Sequence, residues 1–101
     1  MNGDKFACMI GFAKRAGRIV IGYDALKTAK RIKLLAVDDS ASASLTDNMK
    51  ILSRKLDAPL VYAAELETLV GAGIKAIGVT DANMAREMET YARSGAPNYH
   101  I

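Results

Sequence analysis

The spacing of apolar positions along this chain changes repeatedly, and each change marks an element. Phe6, Met9, Ile10 and Ala13 recur at i, i+3 and i+4 and predict a first helix, with Asn2 as its cap and Gly17 as its stop. Gly11 falls inside that helix at a cost of ~1 kcal/mol relative to alanine, which points to a close packing contact there. Ile19-Val20-Ile21 is a short strand, and Gly22 turns the chain. Between Asp24 and Arg31, Ala25, Leu26 and Ala29 line one side and Lys27, Lys30 and Arg31 the other, a short basic amphipathic helix. Lys33–Val37 (KLLAV) is a continuous apolar run of strand length that fits a strand covered on both faces, and it ends in Asp38-Asp39.

The second half continues the alternation. Ser44 and Asp47 have the spacing of a capping box, opening a helix with Leu45, Met49, Leu52 and Leu56 inward and Lys50, Arg54 and Lys55 outward. Pro59 introduces a strand, Leu60-Val61-Tyr62. Leu66–Val70 is a helical turn leading into the glycine loop Gly71-Ala72-Gly73. Ala76–Thr80 is the last strand, and Asp81 caps a final helix with Ala85, Met88 and Ala92 inward, stopped by Gly95 and Pro97. Strands alternating with helices predict an α/β fold, a three-layer α/β/α sandwich around a small mixed sheet of about four strands. The 101 residues (1–101) fit one domain, and such a chain buries roughly 65% of the surface its unfolded form exposes.

Composition narrows the chemistry. An apolar fraction of 50% and a charged fraction of 25% are ordinary for a soluble globular protein. The single cysteine, Cys8, excludes an internal disulfide and, set in an apolar stretch, reads as a small buried residue. Phe6–Ala13 is followed at once by Lys14-Arg15 where a cleavable leader needs small residues, and no apolar run approaches the ~20 residues of a membrane span. The expectation is a cytoplasmic protein with no membrane partner. The single histidine, His100, lies in a short tail, and His/Cys/carboxylate metal spacing is absent. The glycines at 71, 73 and 78 match neither phosphate-loop pattern. These features predict a non-enzymatic protein with no catalytic residue, metal, cofactor or small-molecule substrate. One acidic set stands against that. Asp38 and Asp39 close one strand and Asp81 another, and three acids at strand ends could hold Mg²⁺ or accept a phosphoryl group. The competing reading makes Asp81 a helix cap and Asp38-Asp39 a solvated turn.

Charge is distributed unevenly. Residues 1–33 carry eight Lys/Arg against Asp4 and Asp24, a net of +6, while residues 34–101 carry six against nine Asp/Glu, a net of −3. A basic third of this kind suggests a polyanionic partner, most commonly nucleic acid. Its centre is Ala13–Gly22, AKRAGRIVIG, where Lys14, Arg15 and Arg18 flank a glycine turn at the mouth of the basic helix. Such a turn lets phosphate or base edges approach the backbone at Gly22. Leu69, Val70 and Ile74 around Gly71–Gly73 can present an apolar lip to an unstacked base, or the loop can simply turn the chain.

Taken in order, AKRAGRIVIG, KLLAVDDSAS, LTDNM and AIGVTDANMA resemble the ribosomal L-seven-Ae / L-thirty-e family of kink-turn RNA-binding proteins, above all its small bacterial ribosomal-protein-like members. The resemblance runs from about Phe6 to Arg93. It implies an α/β/α sandwich that binds kinked ribosomal or regulatory RNA, with the ribosome as one candidate partner. In that likeness Gly22, Tyr23, Asp24, Ala25, Lys27 and Thr28 enter at tandem sheared G·A pairs. It further implies that Val70, Gly71, Ala72, Gly73 and Ile74 close over an extruded nucleotide. From the basic third itself, Lys14, Arg15, Arg18, Lys27 and Lys30 are expected to contact phosphates. The sequence departs from the family at Asp24-Ala25, where a polar pair such as Asn-Glu or Lys-Gln is usual, and at Leu66-Glu67, where Leu-Gly is common. That departure leaves a second function open, a protein-interaction module that kept the fold and lost RNA reading.

Overall fold

Every residue from Leu34 to Asp38 is buried, and the rest of the molecule is organised around that strand. The computed structural model describes residues 2–95, with side chains from Lys5 to Tyr91. Its elements are α1 (Asn2–Arg15), β1 (Ile19–Ile21), α2 (Tyr23–Thr28), β2 (Leu34–Asp38), α3 (Ala43–Leu56), β3 (Leu60–Ala63), α4 (Leu66–Val70), β4 (Ala76–Val79) and α5 (Ala82–Gly95). The strands form one mixed sheet in the order β1-β4-β2-β3. β2 and β3 are parallel, joined by α3 as crossover, whereas β4 is antiparallel to both β1 and β2.

Because side chains alternate along a strand, the sheet sends Leu34, Ala36, Ile77 and Val79 to one face, where α1, α4 and α5 cover them with Phe6, Ile10, Leu66 and Met88. Leu35, Val37, Leu60 and Ala76 face the other way, under Leu26 of α2 and Met49 and Leu52 of α3. This is the three-layer α/β/α sandwich with a mixed four-stranded sheet expected from the sequence. Among the described residues no helix is long and apolar enough to cross a membrane.

Local chemistry accounts for the boundaries. Gly17 ends α1 at a φ of 69°, with Arg18 N–H bonded to Ala13 O (2.8 Å) and Gly17 N–H to Lys14 O (3.2 Å), a Schellman closure that favours glycine. The basic helix is shorter than its pattern indicated. α2 stops at Thr28, because Ala29 is extended and Arg31 sits at a φ of 63°, turning Ile32 back onto the sheet. The cap of α3 is Ser42 rather than Ser44, its hydroxyl accepting from Leu45 N–H at 3.1 Å. Asp81 caps α5 as expected, through Met84 N–H at 2.9 Å. Pro97 and His100 lie outside the described residues, as does the side chain of Ala92.

Two expectations about small residues are reversed. A methyl group at Gly11 would meet only Arg15 Nη1 at 3.7 Å, so no packing contact requires that glycine. The required one is Gly78, in the middle of β4, where a Cβ would stand 2.6 Å from Leu26 Cδ2 and 3.1 Å from Ile32 Cδ1. Cys8, expected inside, is exposed on α1, one turn from Phe12, which is exposed as well.

Candidate nucleic-acid interface

Strand direction decides which loops meet. β1 ends where β4 begins, with Ile21 opposite Ile77 and Gly22 N–H donating to Ala76 O at 2.9 Å. β2 ends at the same edge, with Asp38 N–H donating to Lys75 O at 2.8 Å. The β1–α2 turn at Gly22, the Gly71–Lys75 loop and the Asp38–Ser40 turn therefore gather at one end of the sheet. The two segments expected to contact RNA, 49 residues apart from Gly22 to Gly71, are neighbours there.

Gly22 adopts φ 91° and ψ 146°, a conformation that side-chain-bearing residues rarely take, and no side chain caps α2 behind it. Leu26 is fully buried under Gly78 and anchors α2 to the sheet. The opposite side of the helix is exposed. Asp24 projects with its side chain 96% accessible and pairs with Lys27 Nζ at 3.4 Å, and that ammonium also lies 5.4 Å from the centre of the Tyr23 ring. Ala25 and Thr28 are exposed, the Thr28 hydroxyl donating to Ala25 O at 3.4 Å.

The basic residues expected to act together are divided. Lys14 Nζ donates to Val70 O at 3.3 Å, which puts it beside the glycine loop. Arg15 stacks over Phe12, its guanidinium carbon 5.0 Å from the ring centre. Arg18 is at the other end of β1, where its carbonyl accepts from Thr80 N–H at 2.9 Å. Lys30 is exposed past the end of α2, on the path to Lys33, whose N–H bonds Val79 O at that same far end.

The loop has supports that sequence reading missed. Glu67 Oε2 accepts from Gly73 N–H at 2.9 Å, and Glu67 Oε1 lies 2.6 Å from Lys75 Nζ. Lys75 also donates to Ser40 Oγ at 2.7 Å, and the Ser40 hydroxyl in turn bonds Asp38. Asp38 is the buried charged residue at the centre, accepting from Leu66 N–H and Ser40 N–H, each at 2.9 Å. Burial pushes its carboxyl upward, but the bonds from Ser40 and Leu66 and the Lys75 charge outweigh that and hold it below the usual range. The hydrogen bond from Lys75, then that from Gly73, holds Glu67 below its ordinary value, and Glu67 likewise raises Lys75. The available sequence signal was a Glu and a Lys bracketing the glycine loop.

The acidic constellation does not assemble. Since β4 runs antiparallel to β2, Asp81 follows β4 at the far end of the sheet from Asp38 and Asp39. Asp38 is not a solvated turn either, because both its oxygens hold backbone and hydroxyl donors. Among the described residues no group of three His, Cys, Asp or Glu side chains is placed to hold a metal ion. An open groove of about 560 Å³ lies between Tyr62 of β3 and Thr46, Asp47 and Lys50 of α3, and none of the residues expected to bind RNA lines it.

No family model matches the chain, and no curated protein matches it. Among solved structures it is similar to a protein of unknown function from Bacillus halodurans, at 18% identity over 88% of this chain and 97% of that one, with a TM-score of 0.77. At that identity the likeness establishes the shared fold.

Proposed function

We propose that this chain is a non-enzymatic RNA-binding protein of the ribosomal L-seven-Ae / L-thirty-e type, acting in the cytoplasm on a kink-turn in ribosomal or regulatory RNA. The observation that carries the reading is the Gly22 N–H to Ala76 O bond at 2.9 Å, which brings the Gly22–Tyr23 turn to the start of β4, the strand that the Gly71–Ile74 loop leads into. In this reading the turn and the exposed side of α2 meet the base-paired side of the kink, and the partly exposed Leu69 and Ile74 offer apolar contact to an extruded base; Val70, expected to share that contact, is instead buried in the core. Lys14 beside Val70 and Lys27 on α2 supply phosphate contacts. The Asp24–Lys27 pair is exposed, and such pairs contribute ~0–1 kcal/mol, so Lys27 can exchange Asp24 for a phosphate at little cost.

One observation favours the second reading. Asp24 stands fully outward at the entry to α2, where a polyanion is repelled and a basic protein partner is not. A gel shift at two salt concentrations separates the two. A kink-turn RNA is compared with the same RNA whose G·A pairs are replaced by Watson–Crick pairs. Preferential binding of the kinked RNA, weakening with salt, supports RNA reading; equal binding to both leaves only generic electrostatics and favours the protein-interaction module.

A further inference from the structure

The glycine loop is shaped by a side-chain clamp rather than left free. Gly71 N–H bonds Glu67 O at 3.0 Å, Gly73 N–H bonds the Glu67 carboxylate, and Ile74 N–H bonds Gly71 O at 3.2 Å. Lys75 then ties the same carboxylate, at 2.6 Å, to Ser40 Oγ, at 2.7 Å, with Asp38 Oδ2 4.0 Å away. Ser40 and Asp38 belong to the end of β2, and Asp38 also holds the first turn of α4 through Leu66 N–H. The loop is thus fastened at both ends to the buried Asp38 at the end of β2. Two glycines in a short loop otherwise carry much backbone freedom, and ordering it on binding lowers affinity.

The arrangement also fixes what Lys75 cannot do. Its ammonium faces two carboxylates and a hydroxyl, so its charge is balanced within the protein. The outward surface of the loop is the exposed Ala72-Gly73 backbone, and Leu69 and Ile74, packed against the core but only partly buried, flank it.

We propose that Glu67 and Lys75 are positioning residues that pre-set the Gly71–Ile74 loop to receive an unstacked base by apolar contact, neither of them touching phosphate. The proposal rests on the RNA-binding reading and adds to it the two side chains that hold the loop in shape. It makes a prediction opposite in sign to simple electrostatics. Removing an exposed negative charge from a surface that binds a polyanion strengthens binding; removing a clamp weakens it.

The test is a titration of kink-turn RNA across several salt concentrations with the wild type, Glu67→Leu, Glu67→Gln and Lys75→Met. A second RNA carries an abasic spacer at the extruded position, and a third has its G·A pairs replaced by Watson–Crick pairs. Unfolding midpoints and amide exchange at Gly73 accompany each variant. Glu67→Leu and Lys75→Met are expected to lose about fivefold in affinity for the intact RNA, in line with an exposed charge-assisted bond. Their salt slope stays unchanged, Gly73 exchange accelerates, and the abasic RNA binds all variants and the wild type alike. Glu67→Gln keeps an acceptor for Gly73 but loses the charge facing Lys75, so it shows a smaller loss of the same sign and serves if Glu67→Leu does not fold.

Tighter binding by the Glu67 variants, or a Lys75→Met slope lower by one phosphate contact (~0.7–0.9), overturns the clamp. If the wild type prefers the kinked RNA and the variants match it, the clamp fails and RNA reading stands. If the wild type shows no preference, both fall.

Discussion

Gly78→Ala tests how α2, and with it the Gly22 turn, is seated. Gly78 is buried in the middle of β4, between Val20 of β1 and Leu35 of β2. A methyl group there would stand 2.6 Å from Leu26 Cδ2, 3.1 Å from Ile32 Cδ1 and 3.3 Å from Ile32 Cγ2. Optimal carbon contacts fall at ~3.5–4.0 Å, so Leu26 must retreat by about 1 Å. It has little room, being 0% exposed, and Ile32 beside it is 5% exposed. Overpacking of this kind costs ~1–3 kcal/mol, and since the opposing atoms are side-chain ends, the lower half of that range applies. For a domain of this size, about 1–2 kcal/mol lowers Tm by roughly 4–15 °C.

The second arm of the experiment is Leu26→Ala, which removes the clashing atoms and leaves a cavity, at ~2–5 kcal/mol. In the double variant the methyl introduced by Gly78→Ala occupies part of the vacated space. The two effects therefore fall short of additivity by about 1 kcal/mol, well above the few tenths typical of independent sites. Urea unfolding followed by circular dichroism gives the cycle. A Gly78→Ala stability within about 0.5 kcal/mol of wild type, or strict additivity in the double variant, would refute close packing of α2 on a side-chain-free strip of β4. Kink-turn affinity measured alongside should fall in Gly78→Ala, because Gly22 and Tyr23 move with the helix.

The remaining predictions need single substitutions. Gly11→Ala places a methyl with room around it inside α1, so it should stabilise by ~0.5–1 kcal/mol in thermal unfolding; destabilisation would reveal a packing need that its surroundings do not show. Asp24→Asn removes the outward carboxylate that competes for Lys27, so on the proposed function RNA binding should tighten with its salt slope unchanged; weaker binding would mean that the carboxylate itself accepts from the RNA. Asp38 has a folded pKa below its unfolded value of ~3.9, so its contribution is present above that value and is lost as pH falls through the folded one. The urea midpoint should therefore drop on acidification below about pH 4. Asp38→Asn should cost ~1–3 kcal/mol near neutrality and flatten that drop, and an unflattened curve would assign the acid sensitivity elsewhere.

The elements were legible because the apolar period is a packing requirement. Met49 and Leu52 face the sheet whether Ser42 or Ser44 caps the helix, and Leu34–Val37 must be covered on both faces whatever covers them. Boundaries were less legible where tertiary contacts override propensity. Lys30 and Arg31 continue a helical pattern, yet the chain breaks at Ala29 so that Ile32 can bury beside Leu26. Strand direction has no signature in a four-residue apolar run. The antiparallel setting of β4 therefore separated Asp81 from Asp38 and dissolved a constellation that a parallel β4 would have assembled.

The candidate site was legible in outline through the order of its segments, but its electrostatics were not, because charge pairing depends on contacts that the chain order hides. Glu67 and Lys75 are eight positions apart and meet only because the loop between them folds back. The basic third, so prominent along the chain, is divided in space. Lys27 faces Asp24, Lys14 caps a carbonyl of α4, Arg15 lies on Phe12, and the backbones of Arg18 and Lys33 join the opposite end of the sheet. At the end that holds the turn and the loop, Lys14, Lys27 and Lys75 meet Asp24, Asp38, Asp39 and Glu67, a nearly balanced set. A surface so balanced attracts a polyanion weakly through space. If it selects RNA, the selection must come from the fit of a kinked backbone against Gly22 and of an unstacked base against a loop already held in shape.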